Sequence, residues 1–254
     1  MTALAAPAPA QPGAPSTVRL IWLHTRFNIL ETVRIPIAVI GNLLFPSLAM
    51  VFFVVPNPQV GGDPAVATSA VGQLALFAVM SAYLFTFGTG VAEDRALPFD
   101  DYVRTLPAGV LPRLAARVVT GVFFALTALV PLIVLGALLT EARASMGTLV
   151  LGVVVLLATA LPFLMLGLAI GYRMSSKAAI AVVQVALFPL AFAGGLFLPP
   201  QMFPGWLDTL SQALPSRAGR DLLVESLTGL AAYPLALPVL IAWGLVFTAL
   251  AVLA

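Results

Sequence analysis

Six long windows of the sequence contain no Asp, Glu, Lys, Arg or His. Each has about 20 residues or more, which is the length a helix needs to cross a hydrocarbon core of about 30 Å. Only helices and closed barrels satisfy their backbone in lipid, and continuous apolar runs lack the alternation of barrel strands. We therefore predict an all-α membrane protein with six transmembrane helices, at about residues 36–55, 68–92, 118–139, 146–171, 178–198 and 234–254.

The composition agrees with an integral membrane protein and excludes several kinds of chemistry. Apolar residues make up 61% of the chain and charged residues 9%, against about 25% charged in an ordinary soluble domain. The chain has no cysteine, which excludes disulfides, thiolate metal sites and cysteine nucleophiles. The single histidine, His24, cannot form a metal cluster by itself. A net charge of +2 does not indicate a nucleic-acid partner.

The sequence contains no ATPase site or other catalytic site that we can recognise. The only lysine, Lys177, lies in MSSKAA without the glycines of a phosphate-binding loop. Asp94, Asp100 and Asp101 lack the neighbouring glycines or histidines of a metal-dependent phosphotransferase. We therefore expect a chain that is not an enzyme and has no cofactor or metal of its own. The uncharged windows disfavour a proton-coupled carrier, although backbone carbonyls can coordinate sodium.

The basic residues predict the orientation in the membrane, because cytoplasmic loops carry an excess of Lys and Arg. Three basic residues lie on one predicted side, at Arg143, Arg217 and Arg220. The other nine are expected to be cytoplasmic, together with both chain termini. They are Arg19, Arg26, Arg34, Arg95, Arg104, Arg113, Arg117, Arg173 and Lys177.

The two termini lead to different expectations. Residues 1–15 are rich in proline and small residues, which predicts a disordered tail before a single permease domain at 16–254. Residues 16–35 mix arginines with aromatics and predict either a helix in the membrane interface or a short cytosolic lead-in helix, capped by Ser16 or Thr17. No basic residue follows the last window, which is unusual for a cytoplasmic terminus and suggests that the natural chain continues beyond Ala254.

A strongly charged segment separates the second and third windows. Between Glu93 and Arg104 lie six of the 22 acidic and basic side chains of the chain. Such a segment must lie in water, where it is either a docking site for a partner or an ordinary solvated loop. Its charged members are Glu93, Asp94, Arg95, Asp100, Asp101 and Arg104.

The predicted outer segment between windows five and six is rich in proline. Apolar side chains recur at near-helical spacing after Pro204, which predicts a short amphipathic helix that stops at Pro215. A second short helix, capped by Ser216, is expected to follow. Both helices have apolar faces, so we expect a re-entrant segment that dips back against the spans.

Few polar residues lie inside the windows. Tyr83 and Thr86 share one face of the second span and Gln184 lies in the fifth, so these side chains are candidates for a substrate cleft. The alternative is that they form hydrogen bonds between helices, which is the interpretation that we favour. Gly167 and Gly171 form a small-xxx-small pair that predicts close helix packing.

The order of these features resembles the type-2 ABC exporter permeases, over about residues 16–254. One motif of that family corresponds here to Glu93, Asp94 and Arg95, closed by Leu106 and Pro107. Many members have Gly-Thr where this chain has Leu97, Pro98 and Phe99, so the local helix is expected to begin at Pro98. The second motif lies in the outer segment, closed by Pro215, at Gly195, Phe197, Pro199, Pro204 and Trp206.

The resemblance implies a complex of two permease chains, identical or related, with two separate ATPase subunits that bind ATP and Mg. Phe99 and Tyr102 would anchor a coupling helix in the ATPase, with Asp100, Asp101 and Arg104 setting its register and Glu93–Arg95 behind it. The outer segment would form the outer gate. The family implies efflux across a bacterial cell membrane, of drugs, lipids or polysaccharides. The apolar spans, the few polar residues in them and the small outer loops favour a hydrophobic drug or lipid over a polysaccharide. A secondary carrier or lipid flippase without an ATPase is the alternative.

Overall fold

The computed structural model describes residues 16–34, 44–98 and 111–254, and every regular element in these ranges is helical. The prediction of an all-α protein is therefore confirmed for the described residues. The predicted tail at 1–15 lies outside them. A short 3₁₀ turn at Pro200–Met202 follows the seventh helix. The helices are α1 (Thr17–Val33), α2 (Leu44–Val54), α3 (Pro58–Gly61), α4 (Pro64–Arg95), α5 (Leu111–Leu139), α6 (Met146–Arg173), α7 (Ser176–Ala193), α8 (Gly205–Ser211), α9 (Pro215–Thr228) and α10 (Ala236–Val252).

Four of the described helices are long and apolar enough to cross a membrane: α4, α5, α6 and α7. The helices α2 and α10 are apolar but shorter. With 17 residues, α10 is about 26 Å long and lies at the lower limit for a span. Only the second half of the first predicted span falls within the described residues, as α2. The chain is thus a multi-pass membrane protein, and the count of six spans stays a prediction.

Local sequence explains where these helices begin and end. The Asp63 side chain caps α4 by accepting hydrogen bonds from the backbone N–H groups of Ala65 and Val66, each at 2.9 Å. The predicted cap of α1 is confirmed at Ser16, whose Oγ accepts from the N–H of Arg19 at 3.4 Å. The helix α7 ends at Ala193, before the predicted residue 198, because Gly195 has a φ of +77° and turns the chain.

The helix α4 is the centre of the molecule. In its most apolar stretch 78% of the residues are buried, compared with 22–39% in α5, α6 and α7. It packs against α5, α6 and α9, and α1 packs against α5. The exposed apolar side chains of the outer helices, such as Leu138 of α5 and Val154 of α6, are suited to contact with lipid.

The middle of α4 widens into a π-helical segment at Leu84–Thr89, which packs against α6 and α7. Gly167 and Gly171 of α6 lie directly against it. A Cβ on Gly171 would come within 2.4 Å of the Phe87 carbonyl oxygen, and one on Gly167 within 3.0 Å of the Tyr83 oxygen. The prediction that this glycine pair serves close helix packing is confirmed.

Candidate functional site

The acidic and basic cluster predicted at residues 93–95 lies at the end of α4. The helix closes with hydrogen bonds from the N–H of Ala96 to the Glu93 carbonyl at 3.0 Å and from the N–H of Leu97 to the Asp94 carbonyl at 3.1 Å. Pro98 then follows, and a helix commonly ends before proline. The predicted docking residues Phe99, Asp100, Asp101, Tyr102 and Arg104 lie outside the described residues.

The three side chains of this cluster have different surroundings. Arg95 Nη1 donates to the backbone carbonyl of Gly171, in the last turn of α6, at 2.8 Å. The Asp94 carboxylate accepts from Arg117 Nη2 of α5. Glu93 is exposed and forms no salt bridge with another described residue. Two of the three residues therefore hold the end of α4 in place, and the third faces water.

Arg117 of α5 contacts both the C-terminal end of α4 and the π-helical segment of α4. Its Nη1 donates to the carbonyl of Thr86 at 3.4 Å, a long contact, while its Nη2 binds Asp94. The Glu31 carboxylate of α1 also lies within electrostatic range of the guanidinium. The Arg117 side chain is only 19% exposed, so three helices meet at one partly buried cation.

The helix α7 also contacts this end of α4: Ser176 Oγ donates a hydrogen bond to the carbonyl of Ala92 at 3.1 Å. We call the end of the molecule formed by Ala92–Arg95, Arg117, Gly171 and Ser176 the charged end. Polar contacts there join α4 to α5, α6 and α7.

The three residues predicted for a substrate cleft have unlike environments. Tyr83 is 1% exposed and its ring meets the edge of Phe87, with ring centroids 5.7 Å apart. Thr86 is half-buried and lies beside Arg117. Gln184 is exposed on α7; its neighbour Val183 is the residue that packs against Gly88 of α4. Their role in a cleft stays a prediction.

The residues predicted for an outer gate divide into a buried and an exposed part. The Phe197 ring lies 4.8 Å from Phe77 of α4 and 4.8 Å from Phe192 of α7, centroid to centroid. Gly195 turns the chain into this aromatic cluster, and Pro199 precedes the 3₁₀ turn. Pro204 is the N-cap residue of α8, and Trp206 is 70% exposed.

The helix α9 carries buried charges that the sequence interpretation missed. Arg217 donates through Nε to Asp221 at 2.9 Å and through Nη1 to Asp208 at 3.0 Å and Ser211 at 2.9 Å. Arg220 Nη1 donates to the second oxygen of Asp221 at 2.5 Å. Arg217, Arg220 and Asp221 are all at most 9% exposed. We call Asp208, Arg217, Arg220 and Asp221 the α9 ion-pair network.

Gln73 of α4 joins this network to the central helix. With its amide oxygen facing Arg220, Gln73 accepts from Nη2 at 2.6 Å and from Nε at 3.3 Å. Interhelical hydrogen bonding, the interpretation favoured for polar residues in the spans, is thus what Gln73 does. The sequence signal that could have found the network is the i, i+4 spacing of Arg217 and Asp221 on one helix.

The prediction that Ser216 caps the second outer helix is wrong. The helix begins at Pro215, which suits the first helical position because it lacks an N–H, and the preceding Leu214 provides the cap geometry. Ser216 lies inside the helix against Gly194, and its Oγ has no hydrogen-bond partner among the described residues. The helix ends at Gly229, with a φ of +76°.

Two aromatic side chains, one in α10 and one just before it, donate hydrogen bonds to the connection between α8 and α9. Tyr233 donates its hydroxyl to the Gln212 carbonyl at 2.6 Å, and Trp243 Nε1 donates to the Ala213 carbonyl at 2.8 Å. Burial raises the pKa of Tyr233 to about 12, with the Asp221 carboxylate adding to the effect. The phenol therefore remains a hydrogen-bond donor at any physiological pH.

The sequence model of the ABC-2 type transporter family matches residues 19–228. The chain belongs to the ABC-2 type transporter family. It is also similar to the protein named "Putative transport permease YvfS" of Bacillus subtilis (strain 168), with 25% identity over 179 residues, 70% of this chain and 73% of that protein.

Membership of this family identifies the chain as a membrane permease of an ABC transporter. It is a transport subunit rather than the ATPase. The family implies a partnership with an ABC ATPase subunit. Among the described residues no group of acidic and histidine side chains is arranged to hold a metal ion.

Proposed function

We propose that this permease exports a hydrophobic substrate, a drug or lipid rather than a polysaccharide, using ATP bound with Mg by a separate ATPase. The charged end faces the cytoplasm of a bacterial cell, where both chain termini lie. The observation that carries the proposal is Arg117, which contacts Asp94 beside the predicted docking segment and Thr86 in the central helix.

The proposed coupling begins in the segment directly after α4. Phe99 and Tyr102 insert into the ATPase, and Asp100, Asp101 and Arg104 set the register by charge, since aromatic anchors flanked by charges are common in docking sites. Closure of two ATPases displaces the segment, and the contacts of Arg95 and Arg117 carry the displacement into α4, α5 and α6. A second permease chain, identical or related, completes the transport path.

The proposed outward step involves the segment between α7 and α10. Gly195 and Phe197 hold this segment against α4 and α7, and the α9 ion-pair network holds it against α4 through Gln73. In our proposal these contacts rearrange when the central helices tilt. ATP can shift the equilibrium between the conformations before and after this tilt only by the difference between its affinities for the two conformations.

Support for a hydrophobic substrate comes from the pairing of the buried charges in the α9 ion-pair network. The α9 ion-pair network has two cations and two anions, all in contact, so it offers no net charge to a polar cargo. The candidate cleft residues Tyr83, Thr86 and Gln184 are uncharged. A polysaccharide path would be expected to have more polar groups.

A secondary carrier or lipid flippase is the second candidate, and the buried charges of α9 are the observation that favours it. Ionisable groups among membrane helices are frequent in coupled carriers. Transport that continues with vanadate-inhibited or absent ATPase would identify this mechanism, and a neighbouring ATPase gene would argue for the exporter.

The test of docking is a double substitution, Phe99→Ala with Tyr102→Ala, in the permease purified together with the candidate ATPase. We expect loss of co-purification, or at least a tenfold drop in vanadate-sensitive ATP hydrolysis, because each anchor of an interface commonly contributes about 2 kcal/mol or more. The permease should keep its thermal unfolding temperature.

The matched control is Phe52→Ala with Phe53→Ala, which removes two exposed aromatics of α2 (67% and 61% exposed). This control should bind the ATPase as the wild type does. Full ATPase binding and hydrolysis in the Phe99 and Tyr102 variant would refute the coupling assignment.

A further inference from the structure

A cavity of about 300 Å³ lies between α4, α5, α6 and α9, at the end of the helices opposite the charged end. This volume is at the lower end of the range of about 300–1,000 Å³ typical of ligand sites. Its walls are mainly apolar and include Ala75, Ile133, Val153 and Leu223. Apolar cavities take up apolar molecules.

The one hydroxyl in the described lining is already engaged. Thr68 Oγ1 donates to the Pro64 carbonyl at 2.7 Å and accepts from the N–H of Arg143 at 3.1 Å. No hydroxyl in the described lining is therefore free for a ligand, and a strongly polar cargo would lose most of its hydration there with little compensation. The occupant must be a hydrocarbon over most of its length.

The described lining contains one charged side chain, Arg143, in the connection between α5 and α6. Its guanidinium pairs with Glu141 at 3.0 Å, but the two side chains are 78% and 54% exposed. Exposed pairs of this type contribute at most about 1 kcal/mol. A phosphate group near the membrane surface can therefore replace Glu141 at Arg143.

The wall formed by α9 depends on two glycines. Leu227 of α9 lies against Gly72 of α4 and Gly152 of α6, where a Cβ would come within 2.7 and 2.5 Å of its methyl carbons. The missing side chains let α9 approach α4 and α6 closely while the space beside Leu227 remains open.

We propose that this cavity binds an acyl chain of an anionic phospholipid from the surrounding membrane, with its phosphate paired to Arg143. The lipid is resident and is not the transported cargo. Its hydrocarbon would fill the space between four helices that include the central helix α4 and the charged helix α9. This inference depends on the chain being a membrane protein, and not on the direction of transport or on the ATPase.

The test uses the purified full-length chain, with native mass spectrometry of binding to phosphatidylglycerol and to phosphatidylcholine of the same chain length. The wild type should hold one phosphatidylglycerol. Val153→Phe places a ring in the cavity and should lower this binding about tenfold or more. The matched control is Val154→Phe at the next residue, which is 59% exposed and should bind as the wild type does.

A second pair of variants tests the head group without touching the core. Arg143→Ala should weaken phosphatidylglycerol binding about tenfold, the factor expected for loss of one charge-assisted hydrogen bond. It should weaken phosphatidylcholine binding less, because the choline cation already offsets the charge of that phosphate. Glu141→Gln removes the competing carboxylate and should strengthen phosphatidylglycerol binding.

Three results would overturn the proposal. The first is equal phosphatidylglycerol binding by Val153→Phe and the wild type, and the second is equal affinity for the two lipids in the wild type. The third is release of the bound lipid during ATP turnover of the complete transporter, which would identify it as cargo.

Discussion

Asp221 is shared by two buried arginines of the same helix. It accepts from Arg217 through one oxygen and from Arg220 through the other. Moving charges out of water costs several kcal/mol for each ion, and here pairing offsets that cost because each guanidinium faces a carboxylate. Asp208 and Gln73 supply the remaining acceptors. Asp221 is therefore the residue whose loss leaves the most charge uncompensated.

We expect Asp221→Ala to lower the free energy of unfolding by about 3–5 kcal/mol, because it leaves two buried cations with only one acidic partner. Reversible denaturation in mixed micelles measures this change. Glu141→Ala breaks an exposed pair with Arg143 and should change the same quantity by less than about 1 kcal/mol. Equal effects of the two substitutions would show that the α9 ion-pair network is hydrated.

The helix α4 links the two ends of the molecule. Near its start Gln73 accepts from Arg220 of α9, in its middle the π-helical segment packs against α6 and α7, and at its end Asp94 and Arg95 bind α5 and α6. π-Helical turns are frequent at functional sites, and this one presents the Thr86 carbonyl to Arg117. A shift of α4 would therefore change contacts at both ends.

Arg117→Gln tests transmission along α4 separately from docking. The variant should bind the ATPase normally, since the docking aromatics are unchanged, but its permease-stimulated ATP hydrolysis should fall about fivefold or more, the lower bound of a typical coupling free energy. Asp94 is 53% exposed, so water can replace its lost partner and the fold should remain stable.

Arg113→Gln is the matched control for Arg117→Gln. It removes the same charge about one turn earlier in α5, from a side chain that forms no ion pair with the described residues. Its stimulated ATP hydrolysis should equal that of the wild type. Wild-type stimulation in Arg117→Gln as well would show that the contact with Asp94 and Thr86 is structural only.

At the scale of the whole molecule the two ends differ in charge and in contacts. The charged end has Arg95, Arg117 and Arg173, and the opposite end has α8, α9 and the connection that carries Arg143. From the positive-inside rule we predict that the charged end lies in the cytoplasm. The chain has no cysteine, so single cysteines can report the orientation without a further substitution.

We expect Gln201→Cys, between α7 and α8, to react with a membrane-impermeant maleimide in intact cells. Ser175→Cys, in the exposed connection between α6 and α7, should react only after permeabilisation, because it lies at the charged end. Labelling is measured by the mass shift of the purified chain. The reverse pattern would invert the orientation and remove the proposed ATPase contact.

The sequence by itself determined the helical class and the membrane environment, because these depend on local properties. Uncharged runs of bilayer length require helices, and residues such as Asp63, Pro215 and Gly229 start or stop them through their own backbone and hydrogen-bonding chemistry. The clustering of Glu93, Asp94 and Arg95 was also visible in the chain. Such a cluster predicts a segment in contact with water, because charged side chains are costly in lipid whatever their tertiary contacts.

Only the tertiary structure decided which charges are buried and what they contact. Arg95 donates to a backbone carbonyl 76 positions away in the sequence, and Ser176 donates to a carbonyl 84 positions away. Gln73 of α4 contacts Arg220 of α9. Hydropathy and periodicity assign a face to each residue but not a partner on another helix. The sequence analysis treated Arg217 and Arg220 as basic residues of the outer segment, and only the packing of α9 against α4, α6 and α10 shows that they are buried. Burial of charge depends on pairing in three dimensions, because only a partner at hydrogen-bond distance offsets the loss of water.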